Sequence, residues 1–352
     1  PLSLTAKDCP SYDDGRSFSL QVWVKTKPGA PLGTPIMTNA TTKEPTGWCI
    51  GTQENGAWYL SLNDGKNSYT YQPTAQRQAI NDGKWHQLTV SVDKTKGEVW
   101  MYLDGRNVAI YQIEGLKSLE SKFRTIIGGS DEEQDWECRG EWMAFNGKID
   151  EVKMWARPVS SAEVRKSYEQ FFPLSPLYPS YKPDRLKVQV WNIWHGGRRF
   201  GKQVGVNRVI EVLKRENADV IGLIETYGSG AIIADSLGYY FYLISSNLSI
   251  MSRYPIDETI QLFRSFNSGG ALIRISEEQQ IAFYDIWLHY LPDVSDLNNG
   301  KAAVKKYEED EAQTRIPEIK EILKQMAPRT AQSAETPVIL VGDFNCDSHL
   351  DW

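Results

Sequence analysis

No apolar run in this chain approaches the ~18 residues of a membrane-crossing helix, so no such span is expected. Positive charge is not in excess either. With 39 Lys and Arg against 45 Asp and Glu, the net charge is -6. That argues against a protein whose affinity comes from a wide basic surface, although a local basic groove could still hold one phosphodiester. Cysteine is sparse: Cys9, Cys49, Cys138 and Cys346 allow three pairings, and the sequence does not choose among them. Three of the four lie in the first half, which leaves room for one bridge there, and Cys346 reads as a buried thiol. The chain opens at Pro1 with neither a start Met nor a signal peptide and closes inside a motif, so it is expected to be part of a longer protein. What remains is ordinary globular composition, 41% hydrophobic and 24% charged, over a length that suggests two domains. Tryptophan is plentiful, 12 residues, and core packing is the expected role for most of them.

The first half, to about Phe172, has no helical period until its end. Phe18, Leu20, Val22 and Val24 fall on one face of an extended segment, and the same alternation recurs over Leu88–Val92 and Val99–Leu103. Asp64-Gly65 and Asp104-Gly105 read as hairpin turns, because both dipeptides tolerate positive φ. Many short strands joined in this way imply a two-sheet antiparallel sandwich. Ser160 to Tyr168 reads as a short closing helix, with Ser160 or Ser161 as its N-cap and Glu163 near the positive end of its dipole. The four prolines between Phe172 and Pro183 mark residues 173–183 as a semi-rigid linker.

Three segments of this half carry a resemblance: Gly83-Lys84-Trp85-His86, Tyr102-Leu103-Asp104-Gly105, and Phe145 to Trp155 with the following Arg157-Pro158-Val159-Ser160-Ser161-Ala162-Glu163. Together they resemble a laminin G-like, or concanavalin A-like, jelly-roll domain over residues 1–172. The resemblance implies a glycan- or protein-binding module in which these motifs are structural, so His86 is expected at a packed sheet edge. No carboxylate cluster demands Ca²⁺; Asp13-Asp14 and Asp131-Glu132-Glu133 read as solvated loop charge, and a Ca²⁺ site here is an unsupported option.

The second half, residues 184–352, changes pattern. Leu186 to Val190 alternates as a strand and delivers Asn192 at its carboxyl end, followed by Trp194-His195-Gly196-Gly197. Asn207 to Asn217 is amphipathic, with Val206, Val209, Ile210 and Leu213 on one stripe. Asp219 to Ile224 is a buried strand ending in the carboxylate of Glu225, and Ile281 to Leu288 brings His289 to a strand end. A charged helical region over Lys301–Met326, interrupted around Pro317, precedes the last apolar strand. There Val338-Ile339-Leu340-Val341 stops at Gly342, and Asp343 and Asn345 emerge. Two residues apart on an extended backbone they point the same way, so one can act on a water while the other donates to an anion.

Gly342-Asp343-Phe344-Asn345 after an apolar strand, with strand-Asn192, helix and strand-Glu225 upstream, resembles the endonuclease/exonuclease/phosphatase superfamily of metal-dependent phosphoesterases. Asn247 to Ile256, Gly269 to Arg274 and His289 fall in the order of that family's further motifs. The resemblance implies an α+β four-layer α/β/β/α sandwich of DNase I-like type. It also implies that the family's closing strands, with an Asp-His pair, would follow Trp352.

Residue by residue, Glu225 is the strongest ligand candidate for Mg²⁺ or Mn²⁺, because hard cations take carboxylate oxygens and waters. Asn192 would hold the metal or an adjacent water. Asp343 would orient the attacking water, Asn345 would donate to a non-bridging phosphate oxygen, and His289 would stabilise developing charge or protonate a leaving oxygen. His195 either touches phosphate or caps its loop. Arg198, Arg199 and Lys202 form the local basic cluster; Arg253 and Arg274 stand as phosphate neighbours or as surface ion pairs. His349 and Asp351 read as structural members of the terminal loop.

These readings combine into a secreted or periplasmic parent protein, a phosphate-ester hydrolase with an appended binding module acting on a small-molecule, sugar, lipid or nucleic-acid phosphate; without the closing Asp-His pair the 352 residues by themselves are expected to be inactive. A DNase-like endonuclease is the alternative within the class. A non-catalytic carbohydrate- or protein-binding protein on the same scaffold is the alternative from another.

Overall fold

The computed structural model describes residues 2–4, 7–30, 33–41, 43–129, 144–293, 295 and 301–346. Cys138, the Asp131–Glu133 run, His349 and Asp351 lie outside the described residues. The chain divides into two compact units, one running to Ser175 and taking in Ala234–Gly238, the other comprising the remainder from Pro176.

In the first unit the elements are β1 (Leu2–Leu4), β2 (Phe18–Thr26), β3 (Pro35–Thr38), β4 (Gly47–Thr52), β5 (Trp58–Asn63), β6 (Ser68–Tyr71), α1 (Ala75–Gln78), β7 (His86–Asp93), β8 (Glu98–Leu103), β9 (Arg106–Gln112), β10 (Thr125–Ile127), β11 (Gly147–Trp155) and α2 (Ser161–Glu169). One sheet runs β1-β10-β3-β4-β5-β6 and the other holds β11-β2-β7-β8-β9. Every pairing among them is antiparallel, the two-sheet sandwich that alternation implied and the jelly-roll class that the resemblance implied. Phe18, Trp48, Trp58 and Tyr102 are almost fully buried in this unit.

Asp104 and Gly105 both have positive φ, as the tight β8–β9 turn requires. α2 carries a full capping box: Ser160 Oγ accepts the Glu163 N–H while the Glu163 carboxylate accepts the Ser160 N–H. His86 is held at both ring nitrogens, by Asp104 at 2.9 Å and Asp82 at 3.0 Å. It therefore ties two loops together as a structural residue. Cys9 and Cys49 are unbridged, and Cys346 in the second unit is exposed where burial was expected.

After α2 the chain continues with β12 (Val188–Asn192), α3 (Gln203–Glu216), β13 (Val220–Ile224), α4 (Gly230–Leu237, counted with the first unit from Ala234 on), β14 (Tyr240–Leu243), β15 (Leu248–Ser252), β16 (Ile256–Gln261), β17 (Ser268–Arg274), β18 (Gln280–Trp287), α5 (Lys301–Gln313), α6 (Arg315–Thr330) and β19 (Val338–Asp343), the rest of these belonging to the second unit. Its sheets run β14-β15-β13-β12 and β16-β17-β18-β19, and they face one another through β12, β13, β15, β17, β18 and β19. α3 buries Val206, Val209, Ile210 and Leu213. α6 packs Ile322 and Met326 against Ile260, Leu272, Tyr284 and Ile286 of the other sheet. Helix, sheet, sheet and helix thus stack as four layers.

The helix break falls at Thr314, not Pro317. Pro317 sits in the first turn of α6, where its missing N–H forfeits no bond. Part of the linker packs on the second unit, since the Tyr178 hydroxyl donates to Asp257 at 3.0 Å and the Pro179 carbonyl accepts the Glu277 N–H at 2.9 Å.

Candidate functional site

Two parallel pairs decide where the chemistry gathers. β12 lies parallel to β13 through the α3 crossover, and β18 parallel to β19 through α5 and α6. Because these pairs face each other, the carboxyl ends of all four strands come to one edge. That edge carries Asn192, Glu225, His289 and Asp343.

At its centre Asn192 Nδ2 donates to Glu225 Oε1 at 3.1 Å and to Asp343 Oδ2 at 2.9 Å. Asn192 Oδ1 accepts the Trp194 N–H at 2.9 Å, so this side chain presents its nitrogen to the carboxylates rather than the carbonyl oxygen expected of a ligand. The reason is electrostatic: two carboxylates aimed at one point need a positive pole between them. Glu225 Oε2 accepts the main-chain N–H of His195 at 2.9 Å, the contact that places His195 here.

Glu225 stands at φ 56°, and its own N–H donates to Asn247 Oδ1 at 3.2 Å. The other end of that buried carboxamide, Asn247 Nδ2, donates to the Phe266 carbonyl at 3.1 Å. Sequence reading missed Asn247; its position immediately before a buried strand was the available signal.

Asp343 and Asn345 do not lie side by side on an extended backbone. β19 continues through Gly342, where a Cβ would run into the Ile286 carbonyl, and the chain turns only at Phe344. Asn345 adopts φ 51°, its N–H donates to Asp343 Oδ1 at 3.0 Å, and its Nδ2 donates to the Leu288 carbonyl at 2.7 Å. Its side chain therefore anchors the loop before His289 instead of pointing alongside Asp343.

His289 engages its own loop, with Nδ1 beside the Leu291 carbonyl at 3.0 Å and the Leu291 N–H at 3.1 Å, and its ring stacks on Tyr290. Its N–H donates to Glu318 on α6 at 2.8 Å. Arg315, also on α6, is buried. It donates to the carbonyls of Pro292 (3.0 Å), His289 (3.4 Å) and Asn345, and pairs with Glu311 at 2.9 Å.

The arginines separate. Arg198 and Arg199 lie on the loop after Asn192, Arg198 reaching the Gly228 carbonyl at 3.5 Å and Arg199 lying over the Trp194 ring at 3.9 Å. Arg253 and Arg274 are not brought to the site. Leu248 pairs with Ile224 and Ser252 with Val220, so antiparallel β15 carries Arg253 to the opposite edge, about 13 Å of strand away. There it meets Asp219 at 3.6 Å. Likewise Arg274 pairs with Gln280 at the far end of β17 and bonds Asp257 at 2.5 Å.

Nine non-glycine residues among those described have positive φ, and five of them (Trp194, His195, Glu225, Tyr227 and Asn345) surround this centre. Such conformations persist where surrounding contacts over-determine them, which is how functional loops are held. Burial, and then the Glu225 carboxylate, push the Tyr227 hydroxyl up, keeping it a neutral donor.

Among the described residues, no group of three or more His, Cys, Asp and Glu side chains converges on one point. Two carboxylates and a carboxamide do converge. The two carboxylates, and not the carboxamide whose nitrogen faces them, fit Mg²⁺ or Mn²⁺, since Mg²⁺ keeps several waters and is held through one or two carboxylates.

Residues 3–165 match the family model of the concanavalin A-like lectin/glucanases superfamily. Residues 190–352 match the endonuclease/exonuclease/phosphatase family, a grouping of phosphate-ester hydrolases. A similar curated protein is the uncharacterized protein F14F9.5 of Caenorhabditis elegans, 25% identical over 177 residues, covering 47% of this chain and 55% of that protein. The chain thus spans about half the length of the relative it matches.

Among solved structures, the carbohydrate-binding module CBM40 of the Ruminococcus gnavus IT-sialidase, bound to α2,3-sialyllactose, is 14% identical over 47% of this chain and 95% of its own, with a TM-score of 0.36. The SAP-like pentraxin of Limulus polyphemus is 14% identical over 45% of this chain and 72% of its own, with a TM-score of 0.33. Likenesses at this level carry no argument about ligands.

Proposed function

We propose that the second unit is a metal-dependent phosphoesterase that cleaves a phosphate ester by in-line attack of water, and that the first unit is an appended module for a glycan or a protein. We also place the protein outside the cytosol, on the company such a module keeps. The observation that carries the reaction class is the convergence of Glu225 Oε1 and Asp343 Oδ2 on Asn192 Nδ2. The match of residues 190–352 supports the same reading.

Mg²⁺ or Mn²⁺ would be held by the carboxylates of Glu225 and Asp343. Such an ion polarises the phosphoryl group and stabilises the leaving oxygen. The chain supplies the rest. Asn192, fixed through Oδ1 by the Trp194 N–H, sets the spacing of the two carboxylates. Asp343, steadied at Oδ1 by the Asn345 N–H, orients the attacking water and takes its proton. His289 has Nδ1 engaged by Leu291, which leaves Nε2 to protonate the departing oxygen. Arg198, Arg199 and Lys202 supply positive charge for one phosphate group.

A long polyanion is disfavoured as substrate. From Asp184 onward there are 18 Lys and Arg against 23 Asp and Glu, so most of this surface would repel a nucleic acid. The test, on the protein extended through the family's closing strands, is a panel of phosphorylated sugars, lipids and bis-p-nitrophenyl phosphate, with supercoiled plasmid beside it, assayed in Mg²⁺ and in EDTA. Turnover present in Mg²⁺ and lost both in EDTA and in Asp343→Asn supports the proposal. Turnover indifferent to EDTA or to Asp343→Asn contradicts it, and plasmid nicking alone would select the endonuclease alternative.

A further inference from the structure

The polar centre is ringed by exposed apolar side chains. On one side Phe200 packs edge-on to Trp194, Trp194 stacks near His195, and His195 stacks near Tyr227, with centroid separations of 6.1 to 6.3 Å. On the other side Phe266 meets Trp287 at 5.7 Å, and Trp287 meets Tyr290 at 6.1 Å. Asn247 joins the two groups, since it bonds Glu225 on one hand and Phe266 on the other. Trp194 is 49% exposed, Phe200 74%, Val204 55%, Tyr290 56% and Leu291 43%. Water contact on this scale is costly for isolated large apolar groups, and a contiguous patch of them marks a surface that meets a partner.

Two features choose the partner. Val204 and Leu291 add exposed apolar surface that has no ring face for a base and that acyl chains can cover, and the net negative charge from Asp184 onward disfavours a polyanion. Basic side chains are threaded between the apolar ones: Arg198, Arg199, Phe200 and Lys202 follow one another on one exposed loop and Val204 follows in the first turn of α3, with the Arg199 guanidinium 5.7 Å from the Phe200 centroid as well as over Trp194. Exposed apolar side chains with cations beside them match the layered chemistry of a bilayer surface, acyl chains below and phosphate head groups above.

We infer that this rim docks on a phospholipid surface and that the substrate of the neighbouring centre is a lipid phosphate ester presented there. The inference rests on the phosphoesterase reading for the word substrate, but the docking itself does not.

The experiment measures co-sedimentation of the whole chain with phosphatidylcholine vesicles, with and without phosphatidylglycerol, without any turnover. The protein is expected to bind, more tightly with the anionic lipid and less tightly as salt is raised. The pair Phe200→Ser and Val204→Asn is expected to weaken binding at least about tenfold, from the apolar area removed. Leu323→Asn is the control, an equally exposed apolar residue on α6 (50%), expected to leave binding unchanged. Thermal melting of each variant reports folding. No vesicle binding, equal binding by the Phe200/Val204 variant, an equal loss in the Leu323 variant, or a preference for a single-stranded oligonucleotide would overturn the inference. Vesicle binding without Mg²⁺-dependent turnover by the protein extended through the family's closing strands would instead strike the phosphoesterase reading and leave the docking surface standing.

Discussion

Arg315 donates through its guanidinium to the main-chain carbonyl of Asn345, so a buried cation on α6 pins the turn that follows Asp343. The same group holds the His289 and Pro292 carbonyls and pairs with Glu311. The helical segment between β18 and β19 is therefore a brace for the loops that follow both strands as well as a cover for the sheet.

Removing that brace has a calculable cost. Arg315→Met leaves the Glu311 carboxylate without its cation and is expected to lower unfolding free energy by about 3 kcal/mol in urea titrations. Adding Glu311→Met should restore part of it, because the orphaned charge goes too. A loss under about 0.5 kcal/mol for the single variant would show that the brace contributes nothing.

Asp285 gives a second prediction, this time in pH. It points between the two sheets of the second unit, where a Cβ on Gly222 would come within 3.0 Å of its carboxyl carbon, and neither carboxylate oxygen has a hydrogen-bond partner among the described residues. Burial outweighs the nearby Ile286 N–H and pushes its carboxyl well above the usual range. The unfolded chain ionises this group near pH ~3.9 while the folded chain keeps the proton. Stability is therefore full below that pH and falls as pH rises, by up to about 1.4 kcal/mol per unit, until the folded pKa is passed. Asp285→Asn should abolish that slope and melt higher than the parent at pH 8. An unchanged pH profile would mean that the carboxyl ionises freely in the folded protein.

His86 works with the same sign from the opposite chemistry. Burial lowers its pKa, and the Asp104 and Asp82 carboxylates outweigh burial and raise it. Its contribution is full below the unfolded value of about 6.5 and is lost as pH rises through the higher folded value. Melting curves between about pH 5.5 and 8.5 should show the parent losing stability relative to His86→Gln across that window. Parallel curves would place no proton on the bridge.

Much of this was legible in the chain itself, and the reason is local. An apolar strand followed at once by a carboxylate or carboxamide is visible in a dozen residues, so Asn192, Glu225 and Asp343 could be named, and the resemblance to the phosphoesterase superfamily implied that they meet. The Ser160–Glu163 capping box is equally local.

What was hidden depends on register and on distant partners. Arg253 and Arg274 follow strands just as Glu225 does, yet antiparallel neighbours take them to the other edge, and strand direction is not written in the strand. The turn at Phe344 that diverts Asn345 to the Leu288 carbonyl has no local marker, since Asp-Phe-Asn reads equally well as extended chain. Arg315 looks like one more charge on an amphipathic helix until Tyr307, Glu311 and three carbonyls surround it.

The most direct measurement is calorimetric titration of Mg²⁺, and of Mn²⁺ beside it, into the whole chain, the Glu225→Gln variant and the Asp343→Asn variant. The two carboxylates meet at one amide nitrogen and should share one ion. A single saturable site in the parent, weakened at least about tenfold in each variant as loss of one charged ligand implies, is the expected result. No saturable binding in the parent, or binding unchanged in both variants, would contradict a cation centre at Glu225 and Asp343.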